Sequence, residues 1–210
     1  MIKPKGVIVP MATPFTPEGR IDVEAAKRIA RFLAENGVSV FVLGTTGEAP
    51  SIPDSAKPEL VRAVVEEVGD ETEVYAGISS NSFLTSVELA KRFFDLGVKG
   101  FVAHLPHYYP LNADQMLWYY ELLADSLPAP LIIYDIPLTT HISIPLEVID
   151  KLSCHPNVIG LKDSSGDEER MRRALELWRG REDFSYPVSY THLRAHETEA
   201  DLVCRLLLEK

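Results

Sequence analysis

The chain has 210 residues, 46% hydrophobic and 25% charged, with 31 acidic against 21 basic side chains and a formal net charge of −10. That balance is ordinary for a globular domain and excludes disordered, collagen-like and disulfide-scaffold classes. It supplies no basic stripe to compete for phosphates, so neither nucleic acid nor an anionic membrane is expected as a partner.

No apolar run approaches the roughly 20 residues of a membrane span. The opening apolar stretch, residues 7–12, is short and broken by Pro10, so no signal peptide is expected. Two cysteines, Cys154 and Cys204, point to a reducing, cytoplasmic setting.

In chain order, short β-rich runs alternate with helix-patterned stretches. Strands are predicted over 6–11, 38–43, 74–77, 100–103, 130–134, 157–161 and 184–188. The first helix is predicted over 23–35, where Ala26, Ile29, Ala30 and Leu33 share a face behind an Asp22 cap. Others follow over 55–68, carrying Leu60, Val61, Val64 and Val65, and over 85–96, closed by Gly97. Helices over 112–127, opened by Asn112 and Gln115 at capping-box spacing, over 144–152 and over 167–179 complete the alternation.

The strand runs are apolar on both faces, as a parallel sheet covered by helices requires. Strict β-α alternation then leaves doubly wound or barrel architectures. A closed (β/α)8 barrel takes eight units and typically about 250 residues. This chain supplies six to seven, so an incomplete barrel domain is expected over 1–187.

Residues 188–210 change texture. Leu202, Val203, Leu206 and Leu207 would share one face of an amphipathic helix. The favoured alternative is a tail that does not belong to the barrel and resembles translated adapter sequence. Without an eighth strand, strands 1 and 7 would be open edges and the interior would lose a wall. Poor stability and little activity are therefore expected of the 210-residue chain.

Polar side chains stand where four apolar runs stop: Gly44-Thr45-Thr46-Gly47-Glu48, Pro106-His107-Tyr108-Tyr109, Tyr134 and Lys162. In a barrel these strand ends converge on the C-terminal mouth, where active sites of this architecture lie. Lys162 follows a buried run, a setting that disfavours an ammonium and leaves free amine to attack a carbonyl carbon. Tyr134 at the same depth can relay protons. Thr45 and Thr46, between glycines, can offer hydroxyl and N–H donors to a carboxylate.

Taken singly, each has a plain reading: a snorkelling lysine, a strand-end tyrosine with a wet hydroxyl, an ordinary turn. Their coincidence at one mouth favours chemistry. His104 and His107 lack further ligands at metal spacing, so no metal site is expected. No Gly-x-Gly-x-x-Gly follows a strand, which leaves a dinucleotide cofactor unsupported.

Together, Gly44-Thr45-Thr46-Gly47-Glu48, Tyr134-Asp135-Ile136-Pro137 and Gly160-Leu161-Lys162-Asp163 resemble the signature of the dihydrodipicolinate synthase and N-acetylneuraminate lyase family, over about residues 5–186. The resemblance implies an eight-stranded α/β barrel with a C-terminal helical domain that this chain lacks. It also implies a homotetramer, and cofactor-free class I aldolase or lyase chemistry on pyruvate or a related 2-oxo acid. By that resemblance Lys162 is the Schiff-base lysine and Tyr134 the proton-relay tyrosine. Thr45 and Thr46, beside Gly47, are the carboxylate-binding and relay hydroxyls, and Tyr108 is the tyrosine extended into a neighbouring subunit's site.

Thr139 stands where dihydrodipicolinate synthases place a substrate-binding arginine, two residues beyond the Tyr-x-x-Pro proline. Losing a bidentate guanidinium is not conservative. The expectation therefore moves from a dihydrodipicolinate synthase-like enzyme toward a 2-keto-3-deoxy sugar-acid aldolase-like one. The Thr45-Thr46 pair also departs from the Ser-Thr typical of the neuraminate lyase branch. The alternatives are a non-catalytic 2-oxo-acid-binding barrel, or an inactive truncated fragment of the enzyme. A phosphate-binding isomerase barrel would place its site after strands 7 and 8, which the sequence does not display.

Overall fold

The structure, a computed structural model, describes residues 6–189 and 204–206. Seven strands run parallel in chain order, each bonded to the next: β1 (Val7–Pro10), β2 (Ser39–Val42), β3 (Val74–Gly77), β4 (Gly100–Ala103), β5 (Leu131–Asp135), β6 (Val158–Asp163) and β7 (Pro187–Ser189). Helices α1 (Val23–Glu35), α2 (Lys57–Val68), α3 (Phe83–Asp95), α4 (Ala113–Ser126), α5 (Pro137–Thr140), α6 (Leu146–Leu152) and α7 (Glu168–Leu177) fill the connections.

The caps are local. Asp22, Ser82, Asn112 and Asp167 each accept an N–H from the first turn of α1, α3, α4 and α7 respectively. Asn112 and Gln115 form the reciprocal pair that their spacing suggests. The single turn α5 lies in a stretch where no helix is predicted.

The ring is closed, which corrects the expectation of open edges on strands 1 and 7. β8 (Cys204–Leu206) runs antiparallel between β7 and β1, pairing Val188 with Arg205 and Ile8 with Cys204. Unpaired N–H and C=O groups on two facing edges accept any extended segment within reach, whatever its direction. Leu206, placed by its sequence pattern on a helix face, lies in this strand; Leu202, Val203 and Leu207 lie outside the described residues. β7 itself spans the boundary between residues 187 and 188. Among the described residues, no helix is long and apolar enough to cross a membrane.

Two apolar cores result from the alternation of side chains across the sheet. Ile8, Phe41, Tyr75, Val102, Ile132 and Tyr134, one or two from each of β1 to β5, fill the interior together with Ile136 and Ile159. The other strand faces pack with the helices in a larger outer layer that includes Val40, Ala76, Leu131, Ile133, Val158 and Leu161.

β6 breaks the alternation once. Leu131 pairs with Val158, but Ile132 pairs with Gly160, so Ile159 is an extra residue in β6. From Ile159, an interior residue, strict alternation would turn Lys162 outward; the bulge restores it to the side of Tyr134. Gly160 is needed there because a Cβ would lie 2.5 Å from the carbonyl oxygen of Ser185. Gly160→Ala is therefore expected to lower stability by about 1–3 kcal/mol, read by urea unfolding.

Candidate active site

The C-terminal ends of β2 to β6 meet at one mouth. After β2 the chain turns through Leu43 and Glu48, both with left-handed φ, of 58° and 52°. Such non-glycine geometry costs about 1–3 kcal/mol per residue and concentrates at functional sites. The turn leaves Thr45 and Thr46 exposed and buries Gly47. The Gly47 carbonyl accepts the Thr13 hydroxyl at 2.7 Å, and a Cβ at Gly47 would lie 2.9 Å from the Met11 carbonyl oxygen.

The loop after β3 braces the loop after β4. Ser79 Oγ accepts the backbone N–H of His104, and Asn81 Oδ1 accepts those of His107 and Tyr108. Tyr108 packs edge-on against Tyr109 and is 75% exposed, so it stands off the mouth instead of lining it.

A cavity of about 40 Å³ opens at the mouth, lined by Phe41, Leu43, Thr45, Lys57, His104 and Tyr134 among others. At about 10–15 Å³ per water probe this holds roughly three waters, the scale of a three-carbon acid. Lys162 is not among the lining residues; Tyr134 is the side chain that joins it to the cavity.

Cα pairing sets Tyr134 opposite Lys162 on β5 and β6. Both are buried, at 6% and 7% exposure. The Lys162 Nζ lies over the Tyr134 ring, 3.8 Å from its centroid, and donates to Ser164 Oγ at 3.0 Å. On the other side the Tyr134 hydroxyl is 3.4 Å from Thr45 Oγ1. Amine, phenol and threonine hydroxyl thus form a row.

The structure therefore brings Lys162, Tyr134 and Thr45 together, with Gly47 in the supporting turn. It does not bring in Tyr108 or Thr139. Thr139 is exposed on α5, with its hydroxyl donating back to the Ile136 carbonyl at 3.4 Å. Thr46 is exposed beside Thr45.

Sequence reasoning missed Ser164 and Lys57. Lys57 is buried on the cavity wall, paired with Asp54 at 2.6 Å; their spacing of three residues at a helix start is the one signal available. His104 appears in the sequence only as half of a metal candidate. Its Nδ1–H donates to the Leu105 carbonyl at 2.8 Å, which leaves Nε2 as an acceptor. Burial, opposed by the bond to the Leu105 carbonyl and aided by a smaller push from His107, holds it below the usual imidazole value. Among the described residues no group of three or more His, Cys, Asp or Glu side chains is arranged to hold a metal ion.

The residues after the pair, Asp135 and Asp163, also face each other across the two strands and point to the helix layer. Arg170 of α7 donates to both, at 2.8 Å to Asp135 Oδ2 and 3.0 Å to Asp163 Oδ2. Asp163 also accepts from the Tyr186 hydroxyl and the Ser165 N–H, whereas among the described residues the Asp135 side chain has the Ile144 N–H besides the guanidinium.

A model of the dihydrodipicolinate synthetase family matches residues 3–185. The 4-hydroxy-tetrahydrodipicolinate synthase 2 of Streptomyces coelicolor is 36% identical over 170 residues, covering 80% of this chain and 57% of the relative. The dihydrodipicolinate synthase of Bacteroides thetaiotaomicron superposes with a TM-score of 0.84 at 32% identity, covering 90% of this chain and 64% of that one. The chloride-inhibited dihydrodipicolinate synthase of Acinetobacter baumannii, solved with pyruvate, superposes with a TM-score of 0.83 at 25% identity, covering 88% and 63%. The chain spans a little over half the length of the curated relatives it matches.

Burial pushes the Asp135 carboxyl up to about 7; Arg170 opposes the shift and the Asp163 charge adds to it. An unfolded aspartate titrates near 3.9, so between about pH 4 and pH 7 the native state holds a proton that the unfolded chain has lost. This contribution to stability is full below pH 4 and is lost as pH rises through 7, at up to about 1.4 kcal/mol per pH unit. Urea unfolding across that range is expected to flatten in Asp135→Asn; an unchanged slope would assign the titration elsewhere.

Proposed function

Because the chain belongs to the dihydrodipicolinate synthetase family, we propose that it carries the imine-forming centre of a class I aldolase or lyase acting on pyruvate or a related 2-oxo acid. The row of Lys162 Nζ, Tyr134 hydroxyl and Thr45 hydroxyl is the observation that carries this reading. The pyruvate bound in the Acinetobacter baumannii relative supports the same substrate class.

The chemistry follows from the order of the groups. Unprotonated Nζ of Lys162 adds to the C2 carbonyl carbon, and the carbonyl oxygen takes a proton from Tyr134. The carbinolamine loses water to give a protonated imine. The Tyr134 phenolate takes a proton from C3 to give the enamine, whose carbon adds in the condensing direction to an aldehyde, and the aldehyde oxygen receives that proton. In the cleaving direction the C4 hydroxyl gives its proton to the Tyr134 phenolate as the C3–C4 bond breaks into the imine, the electron sink. An aldehyde leaves, C3 of the enamine takes the proton back, and water releases the oxo acid and regenerates the amine.

Tyr134 returns its proton through the adjacent Thr45 hydroxyl. The substrate carboxylate takes its donors from the turn carrying Thr45, Thr46 and Gly47. Thr139 puts no cation at its position, which supports a 2-keto-3-deoxy sugar-acid aldolase over a dihydrodipicolinate synthase proper. Exposed Tyr108 suits contact with a second copy in a homo-oligomer, and free, exposed Cys154 suits a reducing cytoplasm.

The second reading, a barrel that binds the oxo acid without turnover, draws on one observation: Lys162 is engaged by Ser164 and the Tyr134 ring and does not line the cavity. Incubation with pyruvate and borohydride, followed by peptide mass spectrometry, is expected to add one reduced pyruvyl group at Lys162 and none in Lys162→Ala. Absence of that adduct sinks the imine. Turnover over a panel of 2-keto-3-deoxy sugar acids, lowered about 10²- to 10⁴-fold by Tyr134→Phe, separates enzyme from binder.

A further inference from the structure

Resting on the imine reading above, we propose that Arg170 is a positioning residue: by bridging Asp135 and Asp163 on the outer face of β5 and β6, it holds Tyr134 and Lys162 together on the inner face. The geometry is that of a clamp. The side chains of one register pair, Tyr134 and Lys162, point inward; those of the next, Asp135 and Asp163, point outward, and one guanidinium spans them through Nη2 and Nε.

The clamp sits where the ladder needs it. Asp135 ends β5 and Asp163 ends β6, so this is the last register pair of the two strands. The Ser164 N–H donates to the Asp135 carbonyl at 2.8 Å, and the Ser164 hydroxyl receives the Lys162 amine. A shift of β5 against β6 at this end therefore moves Tyr134, Ser164 and Lys162 relative to one another.

The anchor is rigid. Arg170 lies in the first turn of α7, whose cap Asp167 accepts the Arg170 N–H at 3.0 Å. Tyr186, whose hydroxyl donates to Asp163, packs edge-on against Trp178. A planar fork meets two carboxylates at once; a lysine at position 170 keeps the charge but cannot span them.

A merely stabilising ion cluster and a positioning clamp differ in what Lys162 does in a folded variant. The readout is reductive methylation of Lys162 by formaldehyde and cyanoborohydride, measured by peptide mass spectrometry against exposed Lys91 on α3 in the same sample. This needs no oxo-acid site. In Arg170→Lys, Lys162 is expected to leave the Tyr134 ring and label about tenfold faster relative to Lys91, while pyruvate trapping at saturation falls about 10- to 100-fold.

Should Arg170→Lys not fold, Asp135→Asn, which keeps an acceptor for the Ile144 N–H and weakens one arm of the clamp, is expected to move both readouts the same way. A folded variant with the parental Lys162-to-Lys91 ratio overturns the proposal, however much stability it has lost. If the parent protein itself traps no pyruvate, the imine reading fails, and the methylation ratio alone decides whether Arg170 positions Lys162.

Discussion

The pairing of Tyr134 with Lys162 across the ends of β5 and β6 is the constraint on which the rest of the mouth depends. A parallel ladder fixes which residues face each other but leaves only two choices of face, so a slip of one residue would exchange them. Lys162 would then enter the helix layer and Asp163 the apolar interior, with no guanidinium in reach. The bulge at Ile159 is what makes the productive choice, because it adds the one residue that restores the alternation upstream of Lys162.

The two faces of that strand pair carry opposite burdens. Inward, an amine and a phenol are buried beside apolar neighbours such as Ile132 and Ile136. Outward, two carboxyl groups are buried around one guanidinium, and burial keeps the Asp135 proton in place up to about pH 7. Burial of that kind is weak support for stability, since the desolvation of each ion offsets much of the attraction. Its position at the end of the two strands fits a role in geometry, and the strained residues point the same way: Leu43 and Glu48 after β2, and His141 after β5, all take left-handed φ at the rim.

Closure of the ring follows a different physics. Side-chain pattern places β1 to β6, whereas β8 joins because two backbone edges remain to be satisfied. An antiparallel strand between parallel ones meets the hydrogen-bonding demand without the crossover helix that a parallel eighth strand would require. The mouth, built by β2 to β6, lies on the part of the ring where every pairing is parallel and every connection carries a helix or turn.

Much was legible in the residues themselves. The caps at Asp22 and Asn112, the strand runs and the polar groups at their ends are local signals, since each depends on spacing within one turn or one strand. Lys162, Tyr134 and Thr45 could be grouped because barrel strand ends converge whatever their sequences. What only the tertiary structure decided are the relations between distant segments: the Ile159 bulge, the Arg170 bridge, the position of Lys57 and the antiparallel closure. Val158-Ile159-Gly160-Leu161 is apolar on both faces, so no pattern along the chain marks where its alternation breaks. The carbonyl of Ser185 and the register of β5, which set that break, reach β6 only once the ring has formed.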